Sequence, residues 1–572
     1  MPIHNTDIEQ TLTQVADLLE IEGSNPFRVR AYRNAARAVG TMSREAVTMV
    51  DSEESLTSIP GVGKDLAQKI ETLVRTGSLP LLDELRQRLP PGLPGLLDVE
   101  GLGPKRVSTL YKELGIHDVT TLKQAAQAGR IRELPGFGAK TEQKILQDLL
   151  SEKEGRGRYL LNDVEQYAAS LVAALESVPG VGRVVVAGSY RRRRDTVGDL
   201  DVLVVCGESG GVMDRFTGYE DVARVLSRGE TRSSVVLRSG LQVDLRVVPE
   251  ESFGAALHYF TGSRAHNIAL RKLGQSRGLK INEYGVFSDQ GRVAGAGEEE
   301  VYKTVGLPYI QPELREDRGE IEAASRGELP ELVTLADIKG DLHVHSVATD
   351  GRNTIREMAA AAHVRGYAYL AITDHSQRIA MAGGLDEKRL REQMEEIDRL
   401  NQEGDGPTIL KGIEVDILED GSLDLPNSVL KELDLVVGSI HSYFKLDRDT
   451  QTDRVIRAMD NPHLHVLGHP TGRMLGLRRP YDLDMERLLP AARERGVFLE
   501  CNAQPNRMDL NDVQLKWAAS EGVGVVIATD AHWTRHLDLM RHGIDQARRG
   551  WLQATDVVNT RSLEELKKML RR

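Results

Sequence analysis

Cysteine is nearly missing: the 572 residues include two, Cys206 and Cys501, far apart and in no spaced set. That excludes a disulfide framework and a thiolate zinc site, and it fits a reducing cytosol. No apolar run approaches the roughly 18 residues of a membrane span, and Met1 to Gln10 is polar, so neither a span nor a signal peptide is expected. An excess of positive charge is missing too. The net charge of −12 and pI near 5.8 would by themselves argue against nucleic acid, yet net charge governs solubility and steering, and a local basic patch can do the binding. The rest is ordinary for soluble globular protein: 40% hydrophobic and 28% charged, with a length that suggests roughly three to four domains. Histidine alone is unevenly spread, with 11 of 15 after residue 340.

Residues 6–50 have apolar residues at helical spacing, and Arg28, Arg30, Arg33 and Arg37 make the second helix locally basic. Then one unit recurs: Ile59-Pro-Gly-Val-Gly-Lys, Val99-Glu-Gly-Leu-Gly-Pro-Lys and Leu134-Pro-Gly-Phe-Gly-Ala-Lys. Each Gly-x-Gly opens a helix whose first N–H groups suit a phosphate oxygen, with Lys64, Lys105 and Lys140 just beyond. One copy would be common punctuation; three at near-regular spacing are not. They resemble the helix-hairpin-helix motif of DNA repair proteins, which implies DNA-backbone contacts at Gly61, Gly63, Lys64, Gly101, Gly103, Lys105, Gly136, Gly138 and Lys140.

The stretch Gly188 to Val205 carries the middle of the chain. Two β-branched runs bounded by glycine read as strands joined by a loop, and on the second strand Asp199 and Asp201 project from one face. Neighbouring carboxylates repel and raise each other's pKa unless a cation lies between them, and two divalent ions there would clamp an in-line phosphoryl displacement. The Gly188-Ser189 turn and the four arginines after it offer N–H groups and fixed charge to a polyphosphate; some of those arginines are expected to face solvent. Asp244, on a third strand, completes a carboxylate triad.

Gly-Ser-Tyr-Arg-Arg, Gly-Asp-Leu-Asp, Val-Asp-Leu-Arg, Tyr-Phe-Thr-Gly-Ser and Ile-Asn-Glu-Tyr together resemble the DNA polymerase X family, typified by polymerase β, from the N-terminal helices to about residue 315. The resemblance implies that Asp199 and Asp201 hold both metals, Mg²⁺ or Mn²⁺, and that Asp244 binds the catalytic one and helps activate the primer 3′-hydroxyl. It implies that Ser189 and Arg192 grip a dNTP triphosphate beside Gly188 and Gly198. Tyr259, Phe260 and Gly262 would line the sugar, and Asn267 would reach the base edge. Relatives that remove a 5′-deoxyribose phosphate use a Schiff-base lysine where Lys69 stands, and Tyr32 also matches. The supporting lysines do not, since Arg28, Asp65 and Leu81 replace them, and a solvated or phosphate-contacting Lys69 is at least as good a reading. Arg264 stands where an acid is frequent, so nucleotide selectivity is expected to differ.

After a charged, helix-like stretch (316–338) that reads as a linker, seven short apolar runs each end in a residue of metal-ligand type, most of them separated by helix-length amphipathic segments. That rhythm predicts a parallel (β/α)7 barrel with its functional groups at the C-terminal strand ends. His343, His345, Asp350, His375, Glu414, His441, His469, Asp530 and His532 make nine N/O ligands, enough for two or three ions, with Zn²⁺ or Mn²⁺ suited to imidazole and carboxylate. The pattern resembles the polymerase and histidinol phosphatase (PHP) domain, over about 339–572. That implies a phosphoesterase, with Arg473 and Arg507 available to a phosphate and, in bacterial polymerase X proteins, 3′→5′ exonuclease activity.

The expected chain is therefore multidomain α/β: an all-α helix-hairpin-helix domain (1–155), an α+β nucleotidyltransferase palm with thumb (156–315), the linker (316–338) and a PHP barrel (339–572). The expected protein is a cytoplasmic bacterial repair polymerase, nucleoid-associated on DNA and monomeric, that fills gaps in primed or gapped duplex from dNTPs and trims 3′ ends. The competing expectation is chiefly a PHP nuclease or phosphatase that uses the polymerase-like half as a DNA clamp. A scaffold without chemistry is disfavoured by twelve candidate metal ligands.

Overall fold

Apolar residues three and four apart turn the first part of the chain into short helices that bury one stripe each. The computed structural model describes residues 5–40, 42, 46–97, 99, 102–150, 158–404 and 406–571. It divides into two units, Met1–Arg156 and Gly157–Arg572. In the first, helices Asn5–Glu22, Pro26–Gly40, Lys64–Thr76, Pro104–Leu114, Val119–Gln127 and Ala139–Leu150, with shorter ones between, share a core that includes Leu12, Tyr32, Ile70, Leu110 and Ile145. No helix among the described residues is long and apolar enough to cross a membrane.

The second unit begins with a five-stranded sheet in the order Val181–Val186, Asp199–Cys206, Gln242–Val248, Arg232–Leu237, Val222–Arg228. Alternation along Asp199–Cys206 decides what each face does. Leu200, Val202 and Val204 pack with Leu161, Ala168 and Leu171 of the helix Leu161–Glu176, whereas Leu203 and Val205 pack on the other face with Phe253, Ala256 and Leu257. Asp199 and Asp201 share that second face, one turn of the pleat beyond the apolar pair. The thumb follows as helices Phe253–Thr261, Arg264–Ser276 and Glu298–Thr304 around a three-stranded antiparallel sheet.

The seven runs expected as barrel strands form one parallel sheet in sequential order, from Gly340–Val344 to Val525–Ala528. A parallel bridge between Val344 and Ala531 and the bond from the His345 N–H to the Ala531 carbonyl (2.8 Å) bring the last strand round to the first, giving a nearly closed (β/α)7 barrel. Leu370, Ile372, Ile409, Val436, Leu499 and Ile527 face the helical layer. The alternate residues, including Leu342, Tyr369, Leu410, Val437 and Val526, cluster with Leu566 and Leu570 of the C-terminal helix Leu563–Leu570. The base of the barrel is thus apolar, and continuing the same alternation beyond Leu410 and Val526 reaches Glu414 and Asp530.

The stretch 316–338, expected as a charged, helix-like linker, packs against its neighbours: Glu320 is buried in an ion pair, the part-buried Glu316 pairs with Arg192, Glu320–Arg326 is helical, and Val333 is buried with its N–H bonded to the Leu552 carbonyl. Of the four arginines expected to face solvent in part, Arg191, Arg192 and Arg193 are largely covered, whereas Arg194 keeps 37% of its side chain exposed. Arg191 pairs with Glu298 (2.8 Å), Arg192 with Glu316 (3.0 Å), Arg193 with Asp545 (2.9 Å) and Arg194 with Glu316 (3.7 Å), because each guanidinium meets a carboxylate brought from the thumb, the stretch after it or the barrel.

Glu298 joins palm to thumb by accepting from both Arg191 and Arg315, the latter wholly buried over the rings of Tyr302 and Tyr309. Removing one member of a buried ion cluster leaves the others uncompensated, so Glu298→Ala should destabilise this unit by about 3–5 kcal/mol, read as a lower urea midpoint. A loss under about 1 kcal/mol, the size of a surface pair, would contradict that role.

Candidate metal centres

Gly188 begins the palm site. Its φ is +63°, and a Cβ there would lie 2.9 Å from Oδ2 of Asp201, so the turn both needs the left-handed region and leaves room only for glycine. The Ala187 N–H bonds the Asp201 carbonyl (2.7 Å), holding turn and strand together. Asp201 lies in register with Asp244 on the adjacent parallel strand, and Asp244 accepts from Ser234 and from Gln242 (3.3 Å). Burial, then Asp199 and Asp244, push the Asp201 carboxyl up to about 7. Burial and Asp244 raise Asp199 as well, against the pull of Arg158 and Arg192. The trio therefore has a deficit of positive charge, which a divalent cation would fill.

Around it, Arg192 donates to Glu316 and to the Thr261 carbonyl, and a Cβ on Gly262 would lie 3.1 Å from its Nη1. Tyr259 and Phe260 meet edge to face at 5.1 Å, with Arg246 over the Phe260 ring (4.4 Å). Gly198 is exposed, and Ser189 lies in the short helix Gly188–Arg191. Asn267 is buried; its Nδ2 donates to the Tyr259 carbonyl (2.7 Å), which braces the helix end, and its Oδ1 has no hydrogen-bond partner.

The barrel site is built around Glu414, which is 1% exposed. Its carboxylate has His375 Nδ1 at 2.9 Å, His469 Nε2 at 3.1 Å, His343 Nε2 at 3.4 Å, His441 Nε2 at 3.5 Å and His345 Nε2 at 3.6 Å. Asp350 lies 3.3 Å from His375 and 3.2 Å from His532, and Asp530 lies 3.2 Å from His345. The structure thus brings all nine expected barrel residues together. Three groups among the described residues put their ligand atoms within 4.8 Å of one another: His345, Asp350, His375, His532; His343, His345, Asp530; and His375, Glu414, His441. The palm trio is more open.

Metal binding fits the donor set. His343 Nε2, both nitrogens of His345, and Nδ1 of His375, His441 and His469 are buried without a hydrogen-bond partner. Buried polar atoms are normally paired, and ring nitrogens left without a partner beside carboxylates suit a bound cation once any proton on them is displaced. Electrostatics agree. Burial works against the His375 imidazolium, but Glu414 and Asp350 outweigh it and push it up to about 10; for His532, burial is outweighed by Asp350 and Asp530, to about 9. His345, desolvated and beside His532 and His375, falls to about 4. Glu414 is held well below the carboxylate range because its imidazole neighbours outweigh its burial.

A cleft of about 430 Å³ opens over this cluster, and Arg507 lines it, 3.7 Å from Asp530. Arg473 is outside the lining and is corrected as a phosphate ligand of the cleft: its guanidinium bonds Asp195 of the palm (3.2 Å) and the Met508 carbonyl. Two supporting residues escaped the sequence reading. Glu500 accepts from His343 Nδ1 (2.7 Å) and from the His469 N–H, and Asn502 donates to Asp530 (3.1 Å). Both stand in Val497-Phe-Leu-Glu-Cys-Asn, a strand end to which no ligand was assigned.

In the N-terminal unit the three Gly-x-Gly copies share one turn. Val62, Leu102 and Phe137 are buried, and their N–H groups bond the carbonyls of Ile59, Val99 and Leu134 at 3.0 Å each. A Cβ on Gly63, Gly103, Gly136 or Gly138 would touch nothing within 4 Å, and φ is negative at Gly63 (−83°) and Gly103 (−93°). Neither packing nor torsion demands glycine at those two N-caps. Gly61 has φ +82°, and Lys64 and Lys105 are exposed. Gly101 lies outside the described residues, and Lys140 falls in the helix Ala139–Leu150. Lys69 is ion-paired with Asp65 (2.5 Å) and lies 5.6 Å from the Tyr32 ring centre. Burial lowers its pKa, but the bond to Asp65 and the neighbouring Tyr32 outweigh that and leave it raised, the reverse of what a Schiff-base nucleophile needs.

Family profiles agree with this anatomy: a helix-hairpin-helix domain over residues 3–79, a SAM-like helix-hairpin-helix tandem over 94–149, the DNA polymerase beta thumb over 256–316 and the PHP domain over 341–503. Over 574 aligned residues, covering both chains completely, the sequence is 40% identical to the DNA polymerase/3′-5′ exonuclease PolX of Bacillus subtilis strain 168. The chain belongs to the PolX-type DNA polymerase X family. Rat DNA polymerase lambda is 26% identical over 55% of this chain and 56% of its own length. A probable phosphatase of Thermoanaerobacter sp. strain X514 is 32% identical over 34% of this chain and 78% of its own length. Both kinds of relative thus meet in one PolX-type chain.

The raised histidines set a proton test. His375 and His532 are protonated in metal-free protein below about 10 and about 9, so a divalent ion must displace those protons. Titrating Mn²⁺ into metal-free protein near neutral pH, in buffers of different ionisation enthalpy, should show proton release, with affinity rising as pH increases toward that window. Binding without proton release would contradict the assignment.

Proposed function

We propose that this chain fills gaps in DNA, adding a deoxynucleotide to a primer 3′ end in its palm and removing nucleotides from a 3′ end in its barrel. One observation carries the first activity: Asp201 in register with Asp244, beside Asp199, under the left-handed glycine turn at Gly188. Asp199 and Asp201 would hold two ions, Mg²⁺ or Mn²⁺, and Asp244 would share the one nearer the primer. Bound there, such ions neutralise charge and clamp both oxygens of an in-line displacement. The protein does the positioning. Ser189, the N–H groups after Gly188, and Arg192 hold the triphosphate over the bare backbone of Gly198. Tyr259 and Phe260 wall the sugar, with Gly262 leaving space beside Arg192. Asp244, oriented by Ser234 and Gln242, faces the primer hydroxyl and draws on its proton.

In the barrel the nine clustered residues would hold two or three ions, Mn²⁺ or Zn²⁺, which when bound supply an activated water for phosphodiester hydrolysis. Glu500 orients His343, and Arg507 is the cation within the cleft for the phosphate. The Gly-x-Gly turns with Lys64, Lys105 and Lys140 hold the DNA backbone without reading its sequence. Gapped or primed duplex and dNTPs are the substrates, and the chain works as a cytosolic monomer. No lyase role falls to Lys69. A phosphoesterase that uses the palm only to clamp DNA is disfavoured, because three carboxylates crowded on adjacent strands repel a phosphate backbone unless metal is bound there.

Two activities in two sites should separate by mutation. Asp199→Ala should lower primer extension on a gapped duplex by about 10²–10³-fold or more while leaving 3′ trimming intact, and His343→Ala should do the reverse. A single substitution that removed both without unfolding the chain would refute the two-site reading. For the DNA grip, replacing Lys64 or Lys105 by alanine should weaken binding to all sequences alike and reduce the salt slope by about 1 each. An unchanged slope would remove these lysines from the interface.

A further inference from the structure

The geometry points to Arg549, on a helix of the metal barrel, as a positioning residue for the nucleotide grip of the palm. The inference rests on the proposal that Arg192 holds the triphosphate. Arg549 reaches Arg192 at both ends. Its Nη1 donates to the Arg192 carbonyl (2.7 Å) and to Glu316 Oε1 (3.1 Å), the oxygen that accepts from Arg192 Nε at 3.0 Å. One buried guanidinium therefore fixes the backbone of Arg192 and the carboxylate that aims its side chain. Arg549 is itself held by Asp512 and is 4% exposed.

The same helix, Met540–Arg549, reaches the neighbouring residue as well. Asp545, one turn before Arg549, pairs with Arg193 (2.9 Å), whose φ is +56°. The loop after the Gly188 turn is thus shaped from the barrel side at two successive residues. Glu316 reports the dependence. Burial raises its pKa, yet Arg549 first, then Arg192 and Arg194, bring it down to about 2. Without Arg549, the Arg192 carbonyl loses its donor and Glu316 loses its strongest counter-charge, so the Arg192 side chain is no longer held in one direction. The carboxylates Asp199, Asp201 and Asp244 make no contact with Arg549, so the effect should fall on nucleotide binding and spare the chemical step.

The test uses the full chain and reads KM for dNTP and kcat on a gapped duplex, with 3′ trimming of a single-stranded oligonucleotide as a folding control. Arg549→Met, which keeps the apolar stem, should raise KM for dNTP about 10- to 100-fold, as expected for a lost charged hydrogen bond, with kcat and trimming nearly unchanged. Arg192→Ala is the benchmark. If Arg192→Ala raises KM and Arg549→Met does not, the positioning role is overturned and the Arg192 reading stands. If Arg192→Ala leaves KM unchanged, the Arg192 reading fails and takes this inference with it. A fall in kcat with no change in KM would also overturn it. Should Arg549→Met lose both activities through misfolding, Glu316→Gln decides: a raised KM supports the role, and an unchanged KM overturns it.

Discussion

Charge taken out of water must be answered inside the protein, and most of the second unit follows from how its buried carboxylates are answered. Glu298, Glu316 and Asp512 are answered by arginines, and these pairs tie palm, thumb and barrel into one body. Glu414 is answered by five imidazoles, whose ring nitrogens cluster beneath a cleft. Asp199, Asp201 and Asp244 are only partly answered, by Ser234 and Gln242 at Asp244 and by arginines acting at a distance, and the raised pKa of Asp199 and of Asp201 records it. The first kind of carboxylate builds structure and the other two wait for cations.

The two waiting sites differ in kind. In the palm, three carboxylates on adjacent strands offer only oxygen, the preference of hard ions that keep several waters. In the barrel, imidazole outnumbers carboxylate and the ligands come from every part of the circuit, which suits borderline metals. The supporting contacts differ accordingly. Palm residues are braced by hydroxyl and amide groups such as Ser234 and Gln242, whereas barrel histidines are oriented by Glu500 and by backbone. Two chemistries on one DNA end therefore need no shared residue, although Arg193 and Arg549 make the palm loop dependent on the barrel.

Much of this was legible before any coordinates. Strand alternation identified Asp199 and Asp201 as one face, and the rhythm of apolar runs ending in His, Asp or Glu identified a parallel barrel and all nine clustered residues, because both patterns are local and periodic. What was illegible depended on contacts between distant residues. Arg473 sits in a promising Gly-His-Pro-Thr-Gly-Arg context but meets Asp195, 278 positions away. The run of four arginines read as solvent-facing in part because its partners Glu298, Glu316 and Asp545 lie in three other segments.

The amino-acid order by itself determined the architecture, the three phosphate-sized glycine turns and the identity of the metal-ligand candidates, since each is encoded by short-range spacing and by residue chemistry. Only the tertiary structure decided which cations are free to meet a substrate. A guanidinium carries the same charge wherever it stands, and its availability depends on whether folding brings a carboxylate within reach. By that criterion Arg507 remains in its cleft, Arg473 is committed to the palm, and Arg192 is held by a residue of the barrel that no motif announced.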